Sequence, residues 1–119
     1  MPMRKSIPVK GNDGADTVHG GPDADDIRGN DGTDRLHGRG GDDEINGGPD
    51  RDRIGGGSGE YVLNGGMGDD VVRGGAGDDL VQGDRGDDVV LGGGGIDACR
   101  GGEGTDTAST SCETTFHIP

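Results

Sequence analysis

GGMGDDVVR, GGAGDDLVQ and GDRGDDVVL, residues 65–91, are three successive copies of one nine-residue pattern, and that period decides how the whole chain is read. Followed outward in both directions, it holds from Gly11 to Ser109 as eleven consecutive units without insertion or deletion, the first reading GNDGADTVH. Position 1 is glycine in every unit, from Gly11 and Gly20 through Gly92 to Gly101. Position 4 is glycine except where Asp23 and Asp50 stand. Position 6 is aspartate in ten units: Asp16, Asp25, Asp34, Asp43, Asp52, Asp70, Asp79, Asp88, Asp97 and Asp106. Position 8 is small or apolar throughout: Val18, Ile27, Leu36, Ile45, Ile54, Leu63, Val72, Val81, Val90, Cys99 and Ala108. A fixed short period is the mark of a repeat architecture.

Composition pulls the other way. Leu, Ile, Val and Phe total 19 of 119 residues and the net charge is −13, values that belong to a disordered chain. Apolar burial alone would not offset a backbone ordering cost of roughly 1–2 kcal/mol per residue. The conflict disappears if something outside the chain stabilises the fold, and so acidic a chain points to cations. The same charge disfavours a nucleic-acid partner, which needs clustered Lys and Arg. No apolar run approaches the ~18 residues of a membrane span. The opening residues MPMRKSIPVK are basic but lack the apolar stretch of a secretory signal, so the expectation is a piece of a longer protein or an export signal of another kind.

Within a unit, glycines at positions 1, 2 and 4 allow positive φ, which other residues reach only at a cost. Their substitutes are telling: Asn12, Asn30 and Asp84 at position 2 and Asp23 and Asp50 at position 4 are the residue types that best tolerate that region, with Arg39 a departure. Pro22 and Pro49 at position 3 fit a tight turn. Positions 1–6 therefore read as a turn and positions 7–9, such as Val71-Val72-Arg73, as a very short strand with its middle side chain facing one way. Such a strand needs neighbours stacked on it, as in a solenoid.

These units resemble the RTX, or haemolysin-type, calcium-binding repeat, Gly-Gly-x-Gly-x-Asp-x-U-x, over residues 11–109. The resemblance implies an all-β fold: a right-handed parallel β-roll with two units per coil, odd and even units building two short-stranded parallel sheets, and position 8 pointing between them. Eleven units then make about five and a half coils, about 26 Å long at ~4.8 Å per coil. Residues 1–10 become an N-terminal lead or cap, with Ile7 and Val9 as its apolar part. Residues 110–119 become a C-terminal cap, with Phe116 and Ile118 in that role.

Stacked coils bring the position-6 carboxylates of units two apart to roughly 5 Å, a repulsion of about 1 kcal/mol per pair in water and more in a partly dehydrated turn. Asx-turns alone would leave that charge uncompensated. Carboxylates and turn carbonyls form an all-oxygen, flexible donor set, which suits Ca²⁺ better than Mg²⁺ and excludes thiolate or imidazole metals. The pairs Asp16/Asp34, Asp34/Asp52, Asp52/Asp70, Asp70/Asp88 and Asp88/Asp106 on one edge, and Asp25/Asp43 and Asp79/Asp97 on the other, give seven expected calcium sites. Seven divalent ions would bring the charge of −13 close to zero. Tyr61 interrupts the second edge at position 6, with Glu60 beside it as a partial substitute.

Further expectations concern single residues. A Cys99–Cys112 disulfide, in an oxidising compartment, would pin the tail over the end of the roll. His19 and His37 should lie one above the other on the outer face. Asn46, Asn64 and Gln82 should form an amide ladder. Val71, Val89 and Leu91 on one sheet, and Val62 and Leu80 on the other, point outward.

No catalytic constellation is present: Ser58, Ser109 and Ser111 lack a base, the zinc-binding histidine motif of metalloproteases is absent, and the carboxylates are spaced for metal rather than acid–base work. The reading is a non-enzymatic, extracellular module that folds on binding calcium. The alternative is adhesion or surface interaction through the outward Val/Leu patch. Ice binding would need an outward threonine array that the sequence lacks.

Overall fold

A backbone of this composition holds together by stacking on itself, eighteen residues at a time. In the computed structural model, residues 14–108 are described in full, and Ile7–Lys10 and Thr114–Phe116 by their backbone. Strands β1 (Ile7–Lys10), β3 (Asp25–Arg28), β5 (Glu44–Gly48), β7 (Val62–Met67), β9 (Leu80–Arg85), β11 (Ala98–Glu103) and β13 (Thr114–Phe116) form one sheet in that order. Strands β2 (Thr17–His19), β4 (Arg35–Arg39), β6 (Arg53–Ser58), β8 (Val71–Ala76), β10 (Val89–Gly93) and β12 (Thr107–Ala108) form the other. Every pairing is parallel, as in Val71↔Val89, Leu63↔Val81 and Leu36↔Ile54. The result is an all-β parallel solenoid of about five turns.

Alternation along each strand puts one side chain per unit between the sheets. Those side chains are the position-8 residues, from Val18 and Ile27 to Val90 and Cys99, nearly all at 0% exposure; Ala108, in the last coil, is only half-buried. Tyr61 joins this core.

Most strands exceed the three residues expected. Val71–Ala76 runs on through positions 1–3 of the next unit, and Gly57 still pairs with Gly75. The chain turns at position 2 without leaving the ladder, because a positive φ there redirects it while its peptide groups keep pointing along the stack. Position 2 has φ between 70° and 82° in Asn30, Arg39 and Asp84, so even the anomalous arginine obeys the backbone rule. Position 4 shows the same sign in Asp50, φ 76°, but Asp23 is not among the positive-φ residues. Position 1 is not a positive-φ site either, contrary to expectation; its glycine has a different cause, given below.

Both flanking segments contribute a strand. β1 stacks on β3 with the repeat's own eighteen-residue offset, Val9 opposite Ile27. β13 stacks on β11 two residues early, Ala98 opposite Thr114, because the nonapeptide period has ended. The expected capping side chains Ile7, Val9, Phe116 and Ile118 lie outside the described side chains. Cys99 is held in a disulfide; its expected partner Cys112 lies outside the described residues. No helix is long and apolar enough to cross a membrane among the described residues.

Candidate metal centre

The ten position-6 aspartates line the two edges where the chain passes from turn to strand. Nine of them, Asp25 to Asp106, are buried to 5% exposure or less, and Asp16 is half-buried. Each expected pair is joined directly. The backbone N–H of the earlier aspartate donates to Oδ1 of the aspartate one coil on, at 2.7–2.9 Å, in all seven pairs from Asp16→Asp34 to Asp88→Asp106. One carboxylate oxygen is thereby satisfied. The other is not: Oδ2 of Asp16, Asp34, Asp43, Asp52, Asp70, Asp79, Asp88 and Asp106 is buried without a hydrogen-bond donor.

A buried carboxylate oxygen facing no donor is costly as an anion. Burial raises Asp34, Asp43, Asp52, Asp70, Asp79 and Asp88 above the usual 3.8, the amide of the preceding coil opposes the shift, and neighbouring carboxylates add to it. Asp52 reaches about 7 and Asp70 about 8. Asp43, Asp79 and Asp88 reach about 6. Such a column accepts either protons or cations.

The space beside Oδ2 explains the invariant position-1 glycine. A Cβ on Gly29 would lie 2.6 Å from Asp34 Oδ2 and 2.6 Å from the carbonyl oxygen of Gly47 in the next coil. The same collision recurs at Gly65, 2.6 Å from Asp70 Oδ2 and 2.7 Å from the Gly83 oxygen. A carboxylate oxygen and a peptide oxygen thus crowd the place that a Cβ would take. Among the described residues no three His, Cys, Asp or Glu side chains converge on one point. Each step can therefore offer a cation one or two carboxylates and main-chain oxygens, a hard donor set that fits Ca²⁺.

Three details escaped the sequence reading. First, position-5 aspartates reach the opposite way: Oδ1 of Asp42, Asp69, Asp78 and Asp87 accepts the backbone N–H of Glu60, Asp87, Ile96 and Thr105 in the next coil, at 2.7–2.9 Å. The recurrent Gly-Asp-Asp at 41–43, 68–70, 77–79 and 86–88 was the available signal. Second, Asp25 differs from the rest of its column, since its Oδ2 accepts the N–H of Gly21 at 2.7 Å. Third, Tyr61 fills its gap. Its ring lies where a Cβ on Gly38 or Gly56 would be, and its hydroxyl bonds the carbonyl oxygens of Ser58, at 2.7 Å, and Arg39. Glu60 is exposed and does not stand in for the missing aspartate.

Outside the edges, His19 and His37 stack as expected, ring centroids 5.2 Å apart. Asn46, Asn64 and Gln82 share a register, but Asn64 Oδ1 is buried without a partner, so the amide ladder is not completed. Val71, Leu80, Val89 and Leu91 are half-buried, and Val62 alone of the outward group is exposed.

The model of the RTX calcium-binding nonapeptide repeat (4 copies) matches residues 9–36, 28–63 and 64–99. No curated protein and no solved structure matches the chain. Nonapeptide frame, parallel roll and buried aspartate columns all meet in that one match: the chain belongs to the RTX calcium-binding nonapeptide repeat family, a calcium-binding structural module rather than a catalytic one.

Proposed function

We propose that the position-6 aspartates Asp16, Asp25, Asp34, Asp43, Asp52, Asp70, Asp79, Asp88, Asp97 and Asp106 hold about seven calcium ions between successive coils, together with turn carbonyls. The observation that carries this is the row of buried Oδ2 atoms without donors. Asp25/Asp43 is the weakest of the seven pairs, because Gly21 already satisfies Asp25 Oδ2.

Calcium supplies the positive charge that these columns lack. Because the paired carboxylates meet only in the folded stack, each filled site stabilises it by mass action, about 2.7 kcal/mol at a hundred times Kd. Extracellular calcium modules have Kd values on the order of 10⁻⁴–10⁻³ M. The chain is therefore disordered at cytosolic calcium and folds outside the cell, as part of a secreted protein or alone. Adhesion through the Val/Leu side chains gains no support, since most of them are half-buried.

Isothermal titration with Ca²⁺ and, separately, Mg²⁺ tests the assignment. About seven calcium ions and much weaker magnesium binding are expected. Saturation at about two ions or fewer contradicts the model of one site per aspartate pair.

A further inference from the structure

The outer face of the sheet formed by β2, β4, β6, β8, β10 and β12 has a charge opposite to that of the chain. At positions 7 and 9 of its units, between Thr17 and Thr107, stand Arg35, Arg53, Arg73, His19 and His37 and no carboxylate, although the chain holds 24 Asp and Glu. The other sheet carries Asp26 and Glu44 in the equivalent places.

The three arginines lie on adjacent strands. Arg35 is opposite Arg53, and His37 is opposite Gly55, which is opposite Arg73. Gly55 leaves a notch in the middle: a Cβ there would approach His37 Nδ1 at 3.3 Å. Around that notch runs a groove of about 460 Å³ bordered by Arg35, His37, Arg53 and Arg73. Arg28, Arg51 and Arg85 have carboxylate partners at 3.5–3.6 Å. Arg35, Arg53 and Arg73 have none among the described residues. Burial, then His19, Arg39 and Arg35, hold the His37 pKa below its usual value, which leaves a neutral imidazole that can donate a hydrogen bond.

Unpaired guanidiniums bordering one notch repel each other, and an oxyanion between them turns that repulsion into charge-assisted hydrogen bonds. The arginines span two strand spacings, about 10 Å, so more than one anionic group fits. We propose that this face binds a sulfated polysaccharide, its sulfate esters seated between Arg35, Arg53 and Arg73 over Gly55. Sulfate is favoured over phosphate because phosphate sequesters the calcium that the seams need. Nucleic acid is disfavoured because no Phe, Tyr or Trp stands at the outward positions of this sheet to stack on a base: the chain has no Trp, and its one Tyr is buried. The proposal rests on the calcium reading, since filled seams remove the net negative charge that would repel a polyanion.

The test is isothermal titration of the whole chain, at saturating calcium, with a heparin-derived tetrasaccharide, its desulfated counterpart and O-phosphoserine. Only the sulfated probe should bind, more weakly as salt rises. Arg35→Gln, Arg53→Gln and Arg73→Gln should each weaken binding about tenfold. Arg51→Gln and Arg85→Gln, whose guanidiniums pair with Asp69 and Glu103, should leave it unchanged. Gly55→Leu, which fills the notch and keeps every charge, should weaken it too. Equal binding of the desulfated probe, tighter binding of O-phosphoserine, or binding that survives loss of all three arginines (as calcium bridging to the seams would give) overturns the proposal. Circular dichroism of the same samples, with and without calcium, reports on the calcium reading separately. A calcium-induced β signal without probe binding sinks this inference alone.

Discussion

The backbone N–H of Asp52 donates to Oδ1 of Asp70 at 2.7 Å, while Oδ2 of that same carboxylate is buried with no donor at all. One oxygen of the side chain therefore builds the stack and the other leaves it incomplete. This division of labour recurs along both edges and makes the fold conditional on something positive arriving.

Asp70→Asn separates the two roles. The amide keeps Oδ1 as acceptor for Asp52 and replaces the donorless oxygen with an NH₂ group. Because Asp70 belongs to two adjacent pairs, calcium stoichiometry should fall by about two ions, while β content without calcium should not fall. Titration calorimetry and circular dichroism on the same variant check both. Unchanged stoichiometry would remove Asp70 from the sites.

Protons should partly replace calcium. Asp34, Asp43, Asp52, Asp70, Asp79 and Asp88 have folded-state pKa values above 3.8, up to about 7 for Asp52 and about 8 for Asp70. A folded state that binds more protons than the unfolded one loses stability as pH rises. The contribution is fully present below the ordinary carboxylate pKa and is lost as pH climbs through the folded values of about 6 to 8. In buffer freed of metal, β content should be greater near pH 4 than at pH 8, and calcium should restore it at pH 8. More β structure at alkaline than at acidic pH, without metal, would refute this.

Position-1 glycines should not tolerate a methyl group. Gly65→Ala puts a Cβ 2.6 Å from Asp70 Oδ2 and 2.7 Å from the Gly83 oxygen, and should cost about 1–3 kcal/mol and weaken calcium binding. Gly94→Ala meets nothing within 4 Å and should stay within about 0.5 kcal/mol of the parent. Urea unfolding at saturating calcium compares them.

Tyr61 braces its turn with its ring and hydroxyl. Tyr61→Phe removes the hydroxyl that bonds the Ser58 and Arg39 carbonyls, and should cost about 0.5–1.5 kcal/mol through the lost hydrogen bonding. Tyr61→Asp restores a carboxylate between Asp43 and Asp79, and should add about two calcium ions. Sites that do not increase in number would mean that the interruption has another cause.

The nonapeptide frame was enough to foretell the parallel solenoid, the inward position-8 column and the aspartate edges, because period and residue type act on every coil alike. What stayed hidden depends on direction. Asp42, Asp69, Asp78 and Asp87 drew no notice at position 5, yet their carboxylates reach forward to the next coil. Gly29 and Gly65 looked like turn glycines until their missing Cβ proved to be the space beside Oδ2. Tyr61 looked like a defect because its ring packs on glycines and its hydroxyl reaches the Arg39 carbonyl of the preceding coil, contacts that residue type alone does not reveal. The groove at Gly55 needed the register of β4, β6 and β8 within one sheet before three distant arginines became neighbours.

The most direct measurement of the central claim is far-ultraviolet circular dichroism at neutral pH through a cycle of chelation and calcium return. The β signal should vanish when calcium is removed and recover when it is restored. A spectrum that keeps its β content throughout the cycle would contradict a fold held by ions along its edges.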